Sequence, residues 1–180
     1  MRRIRRLPLD ARTETYLARK QAEVDASDPS ADINRVWKSA RQTAAMGHIE
    51  RVLREMARRR QRCMYCEDSL GTDVEHFWPK AKYRERVFKW PNLLLVCGGC
   101  NAAKGDRFPR DASGTPSLID PTAIDPWEHL FFDTMTGNIV ARYRNGQSDP
   151  KGQGPFEFSP RSTMKPSPRG VADQGVDSKE

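Results

Sequence analysis

A long apolar run is the first thing this sequence lacks. Nothing in its 180 residues approaches the roughly 18 consecutive apolar side chains that a membrane helix needs. The opening stretch, Met1-Arg-Arg-Ile-Arg-Arg-Leu-Pro8, is basic but has no apolar segment of the secretory kind, so residence in the cytoplasm is expected, with no membrane partner. Apolar residues are scarce throughout, 37% of the chain against 31% charged. That balance suits a small core with extended charged segments and argues against a large globular enzyme. There is no internal repeat, and the length fits one domain with arms or tails.

Acidic residues are also scarce where the chain begins. Residues 1–62 hold 16 Lys and Arg against 8 Asp and Glu, a net +8, which leaves a net −1 for the rest. A concentrated positive field attracts polyanions, of which nucleic acid is the commonest in a cytoplasm. A solvated helix surface that keeps the protein soluble explains the same charge equally well.

Residues 1–8 read as an arginine-rich arm ending at Pro8. Asp10 can cap a helix over residues 11–25, where Tyr16, Leu17 and Val24 recur at helical spacing. Asp32 can cap the next element. Over residues 34–60, Val36, Trp37, Ala40, Ala44, Ile49, Val52, Leu53 and Met56 make an apolar stripe that predicts one long helix. Its other face carries Lys38, Arg41, Arg51, Arg54 and Arg58, which suits a phosphate backbone or a partner, or simply the outside of a scaffold helix. Residues 111–128 read as a traversing loop, and 129–133 with 138–143 as two short strands around a turn. After Asn145 the chain is Gly, Pro, Ser, Gln and charge with Phe156 and Phe158 as the anchors, which predicts a disordered tail. The expected division is a basic helical arm (1–62), a cysteine-bearing domain with a C-terminal hairpin (63–145) and the tail (146–180).

The four cysteines fall in two pairs, Cys63-Met-Tyr-Cys66 and Cys97-Gly-Gly-Cys100. Two thiolates spaced this way on a tight turn can face one ion, and two such pairs complete a tetrahedral Zn²⁺ site. Gly98 and Gly99 suit the second turn, where backbone N–H groups point at sulfur. Disulfides are disfavoured in a reducing compartment, and a redox pair has no need of a duplicate. A closed four-cysteine site is structural and leaves no open position for water, so catalysis needs a second set of groups.

Between the pairs stands Asp73-Val-Glu75-His76-Phe-Trp-Pro79-Lys80, then Trp90-Pro-Asn92-Leu-Leu-Leu-Val-Cys97. After them comes Asn101-Ala-Ala-Lys104-Gly105-Asp-Arg107-Phe-Pro109. The order Glu-His-x-x-Pro, Asn-Leu-Leu-Leu, Cys-x-x-Cys-Asn-x-x-Lys-Gly resembles the HNH endonuclease motif in its zinc-bearing form. The fuller string, from Cys63 to Pro109, is similar to HNH proteins found beside ATPases in Septu-type and retron-associated phage-defence systems. The resemblance covers about residues 63–132.

It implies an α+β fold with a small ββα-metal, treble-clef-like core stapled by zinc on Cys63, Cys66, Cys97 and Cys100. It further implies that Glu75 and Asn101 hold a catalytic Mg²⁺ or Mn²⁺ with open positions for phosphate and water, and that His76 is the general base. Strand alternation alone points Glu75 and His76 to opposite faces, and a backbone distortion in the family lets both serve one site. Asn92 would fix the loop that holds His76. Lys80, Lys104 and Arg107 are candidates for holding phosphates. The family most often has aspartate where Glu75 stands, and Asp73 offers a nearby substitute. Asn101 could instead merely cap a helix, and Lys104-Gly105 could be an ordinary helix end. Phe77, Trp78, Trp90 and the run 93–96 read as core, and His48 and His129 fall outside the motif. The expected activity is metal-dependent hydrolysis of nucleic-acid phosphodiesters, DNA favoured, inside a complex with an ATPase partner. The rival is a zinc module that binds nucleic acid or a protein without cutting.

Overall fold

The computed structural model describes residues 1–152, so the predicted tail, 146–180, lies outside the described residues from 153 on. The described chain is a mixed α+β arrangement of four α-helices and three two-stranded antiparallel sheets.

Helix α1 (Ala11–Asp25) starts where its cap predicts, with Asp10 accepting from the Thr13 amide at 2.7 Å. Helix α2 (Ile33–Ala40) starts at Asp32, which accepts from Asn34 and Arg35. The single helix predicted over 34–60 is in fact two, α2 and α3 (Ala44–Met56). The break is made by Thr43, whose hydroxyl donates to the Ala40 carbonyl at 2.8 Å and accepts from the Met46 amide at 3.4 Å. A stripe of apolar residues marks a shared buried face and does not count the helices beneath it; the capping threonine does.

The predicted arm is packed against the core. Met1, Ile4 and Leu9 are buried, and the Ile4 amide donates to Pro121 O at 2.8 Å. Arg6 is a strut. Its guanidinium donates to the carbonyls of Leu93 (2.7 Å), Pro91 (2.9 Å) and Trp90 (3.2 Å) and to the Thr122 hydroxyl (2.7 Å), and lies over the Trp90 ring. Burial lowers its pKa to about 10, with Asp120 opposing the shift.

The functional region is built on strands β1 (Asp73–His76) and β2 (Leu93–Val96), antiparallel with Asp73 opposite Val96 and His76 opposite Leu93. All four residues of β2 are fully buried, because the hairpin is covered on both faces. The α1–α3 layer lies on one side. Helix α4 (Gly98–Lys104) lies on the other. Gly71 leads into β1 where the chain passes so close that a Cβ would stand 2.6 Å from Leu95 Cγ, an approach open only to glycine.

Strands β3 (Leu130–Asp133) and β4 (Asn138–Ala141) form the predicted C-terminal hairpin. A smaller one, β5 (Tyr143–Arg144) with β6 (Gln147–Ser148), follows in part of the stretch assigned to the tail, and Asp149 pairs with His129 at 2.8 Å. The fold therefore runs past residue 145. Among the described residues no helix is long and apolar enough to cross a membrane.

Candidate functional site

The cysteines converge as their spacing predicts. Their four sulfurs lie within 4.8 Å of one another, with Cys66 Sγ and Cys97 Sγ 3.9 Å apart. Tetrahedral Zn²⁺ with bonds of about 2.3 Å places its sulfurs about 3.8 Å apart, so the cluster fits one such ion. Cys66 is held far below the usual thiol range by hydrogen bonds from Cys100 and Cys63, and the backbone of Ser69 and Asp68 adds to the effect. Cys100, sharing the same protons with Cys63 and Cys66, is pushed far up. Four thiols this close, sharing their protons, are a donor set that a structural Zn²⁺ would complete by displacing those protons. Gly98 and Gly99 are not needed for their conformational freedom. Both lie in the first turn of α4 without positive φ. A Cβ at Gly98 would meet nothing within 4 Å, and one at Gly99 only Cys97 Sγ at 3.9 Å. Cys97 is itself the N-cap, its sulfur accepting from the Cys100 amide at 3.4 Å.

Because Cys97 and Cys100 start α4, the cluster fixes how this helix lies on the hairpin. Alternation along β1 sends Asp73 and Glu75 to the α4 side. On α4, Asn101 and Lys104 stand one turn apart on the facing side. The two spacings interlock: Asn101 Nδ2 donates to Asp73 Oδ2 at 2.9 Å, and Lys104 Nζ to Glu75 Oε1 at 2.7 Å. The first bond also orients the amide, since a carboxylate only accepts. Asn101 must present Nδ2 to Asp73, and its Oδ1 faces away.

Lys104 is fully buried and also donates to the His76 carbonyl at 2.8 Å. It cannot reach a phosphate, so its expected substrate role is replaced by a structural one: it holds Glu75 and the end of β1. Burial raises the Glu75 pKa above the ordinary carboxylate range, and Lys104 and Lys80 oppose the rise. Gly105 ends the helix with φ +47°, the plain termination that Lys104-Gly105 admitted. Arg107 is exposed and donates back to the Ala103 carbonyl at that same end. Lys80 is half-buried, and its charge acts on both Glu75 and His76.

His76 lies on the other face. The distortion expected to bring it beside Glu75 is absent; β1 alternates regularly, and His76 is 2% exposed. Its ring meets Trp37 of α2 edge-on with centroids 4.3 Å apart. Nε2 stands 3.0 Å from the Val87 carbonyl. A carbonyl only accepts, so Nε2 carries the hydrogen and Nδ1 keeps the lone pair. Burial, with Lys80 adding to it, lowers the pKa to about 3 against the pull of the Val87 bond, so the ring is neutral.

Asn92 is buried and pins the loop after β1. Its Oδ1 accepts from the Trp78 amide at 2.7 Å, and Nδ2 donates to the carbonyls of Trp78 (3.1 Å) and Arg86 (2.9 Å). It thus fixes the residue beside Val87, the carbonyl that orients His76, and touches His76 only through that chain. Sequence reasoning missed three contributors: Trp37, Val87 and Gln21. Gln21 is buried in α1, accepts from the Phe88 amide at 2.8 Å and donates to the Arg84 carbonyl at 3.0 Å, strapping the same loop. A glutamine on the apolar face of α1 was the available signal.

No family model matches the chain, and no solved structure matches it. Among curated proteins the chain is similar to the Septu protein PtuB of Bacillus thuringiensis, 38% identical over 88 residues. The match takes in 46% of this chain and only 32% of that protein, so the chain spans about a third of the relative's length. It relates part of this chain to a component of a Septu system.

Proposed function

We propose that this chain is a divalent-metal-dependent HNH endonuclease acting in a Septu-type anti-phage complex, with Zn²⁺ as its structural ion. The observation that carries the reading is the interlock of β1 with α4 beside the four-cysteine cluster. It brings the Glu75 carboxylate and the Asn101 amide onto adjoining elements, β1 and α4, the latter begun by two of the cysteines. Glu75, through the oxygen that Lys104 leaves free, and Asn101, through Oδ1, would hold Mg²⁺ or Mn²⁺. A cation bound there supplies charge stabilisation at the phosphate and the leaving 3′ oxygen. Lys80 attracts the phosphate. His76 is the base this reading assigns and would take the proton of the attacking water on Nδ1, although the fold buries the ring under Trp37 on the face opposite Glu75. Asn92 and Val87 hold the ring in that tautomer. The relative supports a Septu defence context, and the resemblance of the motif implies an ATPase partner that would govern access to DNA.

One observation favours the second reading, a zinc module that binds without cutting: His76 is covered by Trp37 and stands on the opposite face from Glu75. Cleavage decides between them. Zinc-replete protein with its co-encoded ATPase should nick supercoiled plasmid in Mg²⁺ or Mn²⁺. Glu75→Gln and His76→Gln should abolish nicking with zinc content unchanged. Nicking that survives both substitutions removes this site from the reaction, and binding without nicking in the assembled complex establishes the module.

A further inference from the structure

Outside that site the strongest unassigned feature is a cleft of about 440 Å³ at the C-terminal end of α3, walled by Arg2, Arg58, Arg59, Arg60 and Arg62 with Glu67 as the acidic member. We infer that this cleft grips the phosphodiester backbone of nucleic acid. The inference rests on the nucleic-acid part of the proposed function and not on cleavage.

The cleft is assembled from distant parts of the chain. Burial of Met1 and Ile4 seats the N-terminus, which delivers Arg2 to the end of α3; there it donates to the Ala57 carbonyl at 3.3 Å and pairs with Glu67 at 2.9 Å. The other four arginines come from residues 58–62, a turn in which Arg58 (φ +64°) and Gln61 (φ +46°) adopt the left-handed conformation that non-glycine residues avoid. Such backbone persists where its surroundings impose it, and here it turns successive arginines around one hollow. Arg62 also donates to the Asp68 carbonyl, which ties the wall to the first zinc turn.

Charge decides what the hollow accepts. Arginines near a helix C-terminus are ordinary, because the helix end carries about −0.5 of a charge. That half charge and Glu67 together offset about 1.5 of five positive charges, leaving about +3.5 in one concavity. Arg58, Arg59 and Arg60 are exposed. Repulsion among them is relieved by a ligand with several regularly spaced negative charges, and guanidinium forks match phosphate oxygens pairwise. A phosphodiester backbone meets both conditions. An acidic protein partner has carboxylates on flexible stems at no fixed spacing, and the fit is poorer.

The test is fluorescence anisotropy on the full zinc-loaded chain with a 30-base-pair DNA duplex and a 30-nucleotide single strand. Ca²⁺ replaces Mg²⁺, and salt is varied. Arg59→Ala with Arg60→Ala should weaken binding by about tenfold or more at fixed salt and flatten the log–log salt dependence by about 1 to 2, since each lost phosphate contact removes about 0.9 for duplex DNA. Lys38→Ala with Arg41→Ala, which removes equal charge from an exposed part of the surface, should change neither by as much. Zinc content and circular dichroism report folding. Equal weakening by both pairs overturns the cleft and leaves only net charge. Wild-type binding that the Arg59/Arg60 pair does not alter overturns the cleft alone. A wild-type chain that binds neither probe overturns the cleft together with the nucleic-acid part of the proposed function.

Discussion

Lys104 shows how far a residue's role depends on what faces it. As a lysine one turn beyond Cys-x-x-Cys it reads as a phosphate ligand. In the fold it is fully buried against Glu75, 29 positions earlier, and no periodicity in the sequence announces that partner. Breaking such a pair from one side leaves an uncompensated buried charge, so Lys104→Met should cost about 3 kcal/mol or more in urea unfolding at pH 7. Adding Glu75→Gln should restore most of the loss, and a double variant no more stable than Lys104→Met would disprove the pairing. His76 makes a pH prediction. The unfolded imidazole takes up its proton below about pH 6.5, while the folded ring does so only near 3. Its contribution to stability is complete above pH 6.5 and is lost as pH falls toward 3, by about 1.4 kcal/mol per unit. Unfolding measured at pH 7 and pH 5 should show this slope in the wild type and a flatter one in His76→Gln, the difference separating His76 from the acid sensitivity of the cysteines. Parallel slopes would mean that His76 is not buried as a neutral ring.

At the scale of elements, what was legible came from local signals. Asp10 and Asp32 announced α1 and α2, and the cysteine spacing announced the two turns that bring the sulfurs together, while Asn92 pins the loop after β1 through Trp78 and Arg86 and makes no hydrogen bond to His76 itself. What was not legible is long-range. The Arg6 strut, the Gln21 strap and the Trp37 cover join segments 39 or more positions apart, and each looks locally like a charged arm, a polar intrusion or an ordinary stripe residue. The missed break at Thr43 is a different error, because its cap was present in the sequence and the continuous stripe outweighed it. Asn92 has the larger energetic weight. Asn92→Ala removes three hydrogen bonds and strands buried backbone groups of the loop, so a loss of about 3 kcal/mol is expected. Amide exchange at Trp78 should accelerate more than at Leu95. Equal acceleration at both would point to global destabilisation and away from a loop clamp.

Over the whole molecule, the four-cysteine cluster has no substitute. The hairpin has only four residues in each strand, and α4 only seven residues, too short to persist alone in water. Removing Zn²⁺ should therefore release α4 from β1, separate Asn101 from Asp73 and Lys104 from Glu75, and lower the melting temperature sharply. Elemental analysis should find one zinc per chain in the untreated protein. A chelated protein with unchanged melting would show that packing alone holds the site. The packed N-terminus matters at this scale too, since Arg6 fastens residues 1–10 to β2 while Arg2 turns outward into the arginine cleft.

Titration of the zinc-replete chain with Mn²⁺, read by calorimetry and electron paramagnetic resonance, asks whether the β1–α4 interlock holds a divalent cation. One Mn²⁺ per chain beyond the zinc is expected, lost in Glu75→Gln and in Asn101→Ala and retained in His76→Gln. Binding indifferent to Glu75 and Asn101, or no binding beyond the zinc, would contradict it.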